Sequence, residues 1–438
     1  MQLRLHEKPL FTQAAAVYPY SDQLAEEFTA VSRFDDPYLM YREFGHGDKR
    51  KIALPRNWCP LGDKDLRVEG AEVKFESIFE PRSSEQSKIV TASAELLKQG
   101  KSFITQAPTG FGKTVCAMEV IARVGLKTLV VVTKEDSRDQ WYDESKAILG
   151  LSRHEVGFIQ ADQCEVVDRK LVIGTIQSLS IGGRYAPNTY HDIGLTIWDE
   201  VHRAAADHFS NSCWALPSKL RWGLSATPWR QDGKEELLYG HIGNIAVNTT
   251  ELQLVPNVFR VVTDVEFPKG LRFTPDRLGH VHKFLSMDLK RNHFIARFVR
   301  KAWGDQRNTI VFADTLNHLD WLMSAIRKVG VPSKDIAYYV GGLSKPQREK
   351  AKGKPVILAT YAYTSEATDI PWLDTMVMAT PRSNVIQIVG RVLREYPGKP
   401  NPVILDLVDP LRIFRNFADK RLGWYASIGA KVKGIDYG

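Results

Sequence analysis

The sequence predicts an α/β protein: two tandem parallel α/β domains behind a small N-terminal α+β domain. Three observations lead there. Short apolar runs alternate with helix-length amphipathic segments from Ser102 to Thr227, and again from Thr309 onward. Such alternation is the mark of parallel strands joined by helical crossovers. A chain of 438 residues is long enough for two or three domains with cores of their own. Residues 1–80 break the pattern, with Pro9, Pro19, Pro37, Pro55 and Pro60, many aromatics and no clear periodicity.

In the first series the expected strands are Phe103–Ala107, Thr128–Thr133, Leu171–Gly174, Leu195–Trp198 and Leu220–Leu224. In the second they are Thr309–Ala313, Ile336–Val340, Val356–Ala359, Thr375–Ala379 and Pro402–Asp406, with helices over Leu316–Val329 and Ser383–Arg394. The stretch Glu251–Gly304 reads as the joint between the series, helical over Asp288–Trp303. The expected domains are therefore 1–80, 81–250 and 251–438.

Composition narrows the class. A chain 43% hydrophobic and 25% charged is ordinary for a soluble globular protein. Its net charge of +8 suits a polyanionic partner. The four cysteines, Cys59, Cys116, Cys164 and Cys213, have neither metal-ligand spacing nor the look of a disulfide framework. Reduced thiols and a cytoplasmic location are expected. Met1 to Tyr20 lacks the apolar core of a signal peptide, and no apolar run approaches the ~20 residues of a membrane span.

The chemistry begins at Ala107-Pro108-Thr109-Gly110-Phe111-Gly112-Lys113-Thr114, set between an expected strand and an expected helix. That is the order of a phosphate-binding P-loop. Gly110 and Gly112 allow a tight turn that aims backbone N–H groups at phosphate, at the positive end of a helix dipole. Lys113 can reach the β- and γ-phosphates, and the Thr114 hydroxyl can hold Mg²⁺. The first position carries Ala107 where the usual pattern has Gly.

Further on, the apolar run from Leu195 ends in Asp199-Glu200-Val201-His202. In a parallel sheet, ligands sit at the carboxyl ends of the strands. Asp199 is thus expected beside the P-loop as a Mg²⁺ ligand and Glu200 as the group that polarises the attacking water.

With Leu224-Ser225-Ala226-Thr227-Pro228 downstream, this series resembles the superfamily 2 helicases. Gln387-Ile388-Val389-Gly390-Arg391-Val392-Leu393-Arg394 is similar to the last motif of that superfamily, Q-x-x-G-R-x-x-R. Glu366-Ala367-Thr368-Asp369-Ile370-Pro371 is similar to the one before it, with Ala367 in place of Gly. The resemblance covers roughly residues 80–410. It implies two RecA-like domains with ATP between them, Lys113, Glu200, Gln387, Arg391 and Arg394 in catalysis, and Arg391 and Arg394 as arginine fingers. It implies that Arg82 and Gln86 help hold the nucleotide, at a spacing one residue longer than usual. It gives His202, Ser225, Thr227 and Asp369 a part in coupling. Nucleic-acid contacts are implied at Thr133, Lys134, Arg138, Thr175, Gln177, Thr315, Gly341, Gly342 and Thr360, with Thr133 standing where Pro is common. Small hydroxyls and glycines suit phosphate contacts, which position a strand without reading it.

The run Ser225-Ala226-Thr227-Pro228-Trp229-Arg230-Gln231-Asp232-Gly233, with its Arg-x-Asp-Gly, resembles the XPB-like and phage UvsW-like DNA helicases. Leu54-Pro55-Arg56 resembles part of the small domain that precedes the core in phage members. The expectation is an ATP- and Mg²⁺-dependent DNA helicase acting on single-stranded and branched DNA, at forks and four-way junctions. It would be monomeric, in the host cytoplasm if phage-encoded, and at work in branch migration, replication, recombination and repair. Two alternatives stay open from the same core: an RNA helicase, and a duplex translocase subunit of a restriction complex. A non-hydrolysing nucleotide sensor is disfavoured by the presence together of Lys113, Glu200 and Arg394.

Overall fold

The computed structural model describes residues 10–11, 15–33, 36–59, 64–205, 210–228, 232–249, 254–267, 278–361, 370–383, 389, 392–393 and 396–437. The chain divides into two units, the first comprising Met1–Pro108 and Gly112–Thr250 and the second Glu251–Gly438 with Thr109–Phe111.

The first unit is built on an eight-stranded sheet. Its order is Gln163–Cys164, Val156–Gln160, Leu171–Thr175, Thr128–Val132, Leu195–Asp199, Leu220–Ser225, Phe103–Gln106 and Ile245–Asn248. Every pairing is parallel except that of Gln163–Cys164. The central strands are continuous apolar runs because both faces are covered, and Leu129, Val130, Ile197 and Ile173 are fully buried. All five strands expected from the sequence are present, within one or two residues at their ends.

The N-terminal segment packs into this same unit. Its antiparallel strands Arg42–Phe44, Lys51–Leu54, Ala16–Pro19 and Leu10–Phe11 close beside the helix Asp22–Glu27. The core of this small sheet, with Tyr18, Phe28, Tyr38, Ile52 and Leu54, takes in Leu237 from beyond the large sheet. Trp58 and Pro55 lie so close to Gly240 that a Cβ there would stand 2.8 Å from Pro55 Cβ. Arg56 is 2% exposed and donates from Nη2 to Lys219 O at 2.9 Å. Val68 then bridges Ser218 and Glu72 bridges Leu126, so the stretch leading to the P-loop domain runs along its surface.

The second unit holds a seven-stranded, wholly parallel sheet. Its order is Ile336–Tyr339, Val356–Thr360, Thr309–Ala313, Thr375–Met378, Val403–Val408, Asn257–Val262 and Lys431–Gly434. The five expected strands are there. The stretch read as a joint does more than connect: Asn257–Val262 is the sixth strand and pairs along its whole length with Val403–Val408. The helix Leu289–Gly304, capped by Asp288 accepting from Arg291 N, matches the expected one closely. Most of the expected helix Ser383–Arg394 lies outside the described residues.

Candidate nucleotide and nucleic-acid site

The strand Phe103–Gln106 feeds the loop 107–112, and the helix Lys113–Val124 leaves it. Gly110 and Gly112 both take positive φ, 88° and 93°, so the turn needs glycine at each. At Gly112 a side chain would also collide, with Arg82 Nη2 at 2.7 Å and Gln86 Nε2 at 2.8 Å from an added Cβ. Arg82 and Gln86, separated from the loop in sequence, thus lie directly against its last glycine. Ser83 caps the helix Ser84–Lys98, and Gln86 Oε1 accepts from Arg82 N at 2.9 Å, which fixes the carboxamide. Ala107 is fully buried and its N–H donates to Ser225 O at 3.1 Å. It is not among the residues of positive φ, so this position does not require the usual glycine.

Lys113 donates to the carbonyls of Ala107 and Pro108 at 3.1 and 3.2 Å. Thr114 lies in the first turn of the helix, half-buried. The strand carrying Asp199 is separated from the P-loop strand only by Leu220–Ser225. Asp199 Oδ2 accepts from Trp141 Nε1 at 2.9 Å and Oδ1 from Glu200 N at 3.0 Å. Burial first, and the neighbouring Glu200 second, push the Asp199 carboxyl up to about 6, against the pull of Trp141 and Lys113. Glu200 is held at φ 51°, a left-handed conformation uncommon for a residue with a side chain.

His202 Nδ1 stands 3.0 Å from Ser225 Oγ and 3.4 Å from Glu200 Oε2. Ser225 Oγ also accepts from Thr227 N at 3.0 Å. Three of the residues expected to couple nucleotide state to movement, His202, Ser225 and Thr227, thus form one cluster around the Ser225 hydroxyl.

The expected nucleic-acid residues fall on the ends of neighbouring strands. Thr133 follows Thr128–Val132, Thr175 closes its strand, and Gln177 Nε2 ties the two loops by donating to Thr133 O at 2.8 Å. Lys134 is the N-cap residue of the helix Glu135–Leu149. Arg138, on that helix, bonds Gln160 and pairs with Asp139. In the second unit Thr315 is exposed and caps the helix Leu316–Lys328. Gly341 and Gly342 are exposed just beyond Ile336–Tyr339, and Thr360 ends its strand half-buried. Asp369, Gln387, Arg391 and Arg394 lie outside the described residues.

The aromatics of the N-terminal segment mostly fill its core: Tyr38 is buried, and Tyr41 and Trp58 pack against that core. Its arginines are engaged as well. Arg42 bonds Asn211, and Arg50 pairs with Glu43 while its guanidinium sits 3.5 Å from the centroid of the Tyr20 ring. Lys49 and Lys51 are exposed.

Trp141 was missed by sequence reading, because no local spacing ties a tryptophan to a carboxylate 58 positions away in the chain. Nor did the sequence signal the arginine Arg221, wholly buried and donating to the carbonyls of His241, Cys213 and Leu216.

Residues 78–230 match the family described as type III restriction enzyme, res subunit. With the order of the motifs and the two parallel sheets, that match makes the chain similar to the superfamily 2 helicases, which are ATP-dependent NTPases. Among individual proteins, the chain is 27% identical over 324 residues to an Acanthamoeba polyphaga mimivirus protein named as an ATP-dependent RNA helicase. The alignment covers 72% of this chain and 61% of the mimivirus protein. It is 25% identical over 395 residues to a protein of Escherichia phage T5 named as a helicase, covering 84% of this chain and 82% of that one. In structure it is similar to a fragment of a protein named as the HsdR subunit of a type I restriction enzyme from Vibrio vulnificus. The TM-score is 0.58 at 20% identity, over 83% of this chain and 70% of that one, a likeness of fold. Among the described residues no helix is long and apolar enough to cross a membrane.

Proposed function

We propose that this protein is a DNA helicase or translocase that spends ATP to remodel branched DNA. One observation carries the reading. The carboxyl edge of the first sheet holds a P-loop with Lys113, the pair Asp199 and Glu200, and the Ser225 cluster on three adjacent strands, and the next strands end in the Thr133 and Thr175 loops. In this reading, phosphate chemistry and a polymer track share one edge of that sheet.

In this reading the loop N–H groups and Lys113 bind the triphosphate, and Glu200 orients the water that attacks the γ-phosphorus. Arg391 and Arg394 act as arginine fingers, by their place in Q-x-x-G-R-x-x-R, with Gln387 beside them. His202, Ser225, Thr227 and Asp369 relay the nucleotide state. Thr114 and Asp199 offer hard oxygen donors of the kind Mg²⁺ takes in phosphoryl-transfer sites, one hydroxyl and one carboxylate with the phosphates and water completing the shell. Bound there, the ion would neutralise phosphate charge. DNA is preferred to RNA on the Arg-x-Asp-Gly that follows Ser225-Ala226-Thr227-Pro228, and branched DNA on the N-terminal segment with its exposed Lys49 and Lys51.

The test is ATP turnover measured side by side with single-stranded DNA, duplex, fork, four-way junction and RNA, together with unwinding of the forked and junction substrates. DNA should stimulate most, and affinity should fall linearly in log salt as phosphate contacts release counterions. The mimivirus relative is named for RNA, and RNA stimulating turnover above every DNA would replace the DNA reading.

A further inference from the structure

We propose that Trp141 is a positioning residue of this ATPase, one that links the polymer track at Thr133 and Lys134 to the carboxylate of Asp199. The inference rests on the functional reading above. Trp141 is completely buried on the helix Glu135–Leu149. A buried indole N–H needs an acceptor, and this one donates to Asp199 Oδ2 at 2.9 Å. The other oxygen, Oδ1, already accepts from Glu200 N at 3.0 Å. With a donor on each oxygen the carboxylate cannot rotate, and its remaining lone pairs are held in one direction.

The donor is not local. Its helix starts at the track: Lys134 is the N-cap residue and Thr133 precedes it, with the Thr133 carbonyl held by Gln177 Nε2 at 2.8 Å. Arg138, three residues before Trp141 and so on the same helix face, bonds Gln160 and stands over the Phe158 ring. A helix is stiff over this length. Any shift of its first turn on binding a strand moves the indole, and a hydrogen bond at 2.9 Å weakens within a few tenths of an ångström. The strands Thr128–Val132 and Leu195–Asp199 are direct neighbours, so the link crosses the boundary between the track half and the phosphate half of the sheet by the shortest route.

A plain core role predicts something else. Were Trp141 only filling space, an isosteric side chain without the N–H would serve equally well. Two variants separate the cases: Trp141→Phe, and replacement of Trp141 by 3-benzothienylalanine, which keeps the bicyclic shape and puts sulfur where the N–H was. Groups one shell out from a metal ligand typically carry ten- to a hundred-fold in metal affinity or activity. The half-saturating Mg²⁺ concentration should rise by about ten-fold or more in both variants, while KM for ATP at saturating Mg²⁺ changes by less than about three-fold. The ratio of DNA-stimulated to basal turnover should drop with it. A second readout needs no turnover: binding of a fluorescent ADP analogue, titrated with and without Mg²⁺, should lose most of its Mg²⁺ dependence. The benzothienyl protein serves even if the phenylalanine one fails to fold. Unchanged Mg²⁺ dependence and an unchanged stimulation ratio in the benzothienyl protein would overturn the proposal. A wild-type protein without DNA-stimulated turnover would instead overturn the functional reading, and the nucleotide-binding titration would still decide the part played by Trp141.

Discussion

The strand Leu195–Asp199 of the first sheet and the strand Val403–Val408 of the second both run into a carboxylate at the same edge of a parallel sheet. Asp409 is wholly buried, and its own chain supplies a cation: Arg291 Nε and Nη2 reach its two oxygens at 2.8 and 2.9 Å, and Thr263 Oγ1 adds a third donor at 2.7 Å. Its neighbours are closed off likewise. Asp314 holds His282 Nδ1 at 2.7 Å and Arg382, while His318 lies between Thr380 Oγ1 and Asn292 Oδ1. Among the described residues Asp199 receives only neutral N–H donors, from Trp141 and Glu200, and the Lys113 ammonium that eases its charge sits on loop carbonyls. Its carboxyl is pushed up to about 6, and the next residue is held in a left-handed backbone. One topology thus yields two kinds of edge. Where the chain pairs its own charges the edge is structure; where a carboxylate meets no cation among the described residues, the edge suits the Mg²⁺ role given to Asp199 in the proposed function.

The largest effect expected from breaking this contrast is at Glu200. Glu200→Gln keeps the shape and removes the carboxylate proposed to orient water. ATP turnover should fall by about 10²–10⁴, with ATP still bound, because Lys113, Thr114 and Asp199 remain. Turnover near the wild-type rate, with binding intact, would remove Glu200 from the chemistry.

At the paired edge the loss should be of stability and not of chemistry. Asp409→Asn leaves the Arg291 guanidinium buried without its counter-charge, and breaking a buried pair from one side costs about 3–5 kcal/mol. The double variant Arg291→Met with Asp409→Leu should recover much of that, since a buried pair can be exchanged for apolar packing at little net cost. Hydrogen exchange of the strands Asn257–Val262 and Val403–Val408 isolates the second unit from the first. Equal protection in wild type and Asp409→Asn would show that the pair carries no net stability.

A third expectation concerns acid. Burial, with the charges of Arg291 and His282 beside it, lowers the His318 imidazole to about 3. In the unfolded chain it titrates near 6.5. The unfolded state therefore binds the extra proton as pH falls below about 6.5, and stability declines from there until the folded-state value is reached. Between pH 6.5 and pH 5 this one group should remove roughly 2 kcal/mol. His318→Asn keeps polar atoms near Thr380 and Asn292, and should flatten that decline when denaturant unfolding is compared at pH 7 and pH 5. Parallel declines in the two proteins would mean that His318 is protonated in the folded state.

How far all this was legible follows the same division. Strands buried on both faces were visible as apolar runs, so Thr128–Val132 and Thr309–Ala313 were found almost to the residue. Asn257–Val262 was not, because Arg260 interrupts its run and reaches Asp419, and Lys431–Gly434 is exposed throughout and shows no apolar pattern. The reactive edge was legible because loop glycines, a lysine and paired acids are close in sequence and carry their spacing with them. The partners that hold it in place were not. Trp141 meets Asp199, and Arg291 meets Asp409, only through the fold, and a tryptophan or an arginine in a helix gives no sign of its acceptor. Charged residues also default to the surface in a sequence reading, which hid Arg56, Arg221, Arg291 and Arg421, all buried.

The smallest expected effect tests whether the second edge is structure alone. Thr315 follows the strand Thr309–Ala313 by two residues, and its Oγ1 accepts from His318 N at 3.3 Å as the cap of the helix Leu316–Lys328. In the proposed function it is also a phosphate contact. The two roles can be separated, because the cap needs an oxygen on Cβ while a strand contact needs that residue exposed, and Thr315 is both. Thr315→Ala should cost about 1 kcal/mol through the lost cap, and Thr315→Ser should restore it. If the hydroxyl also touches a phosphate, single-strand affinity should fall by less than about ten-fold in the alanine variant, uniformly across base sequences, and return with serine. A stability loss with affinity untouched would confine Thr315 to the cap, and the edge of the second sheet at this strand would be structural throughout.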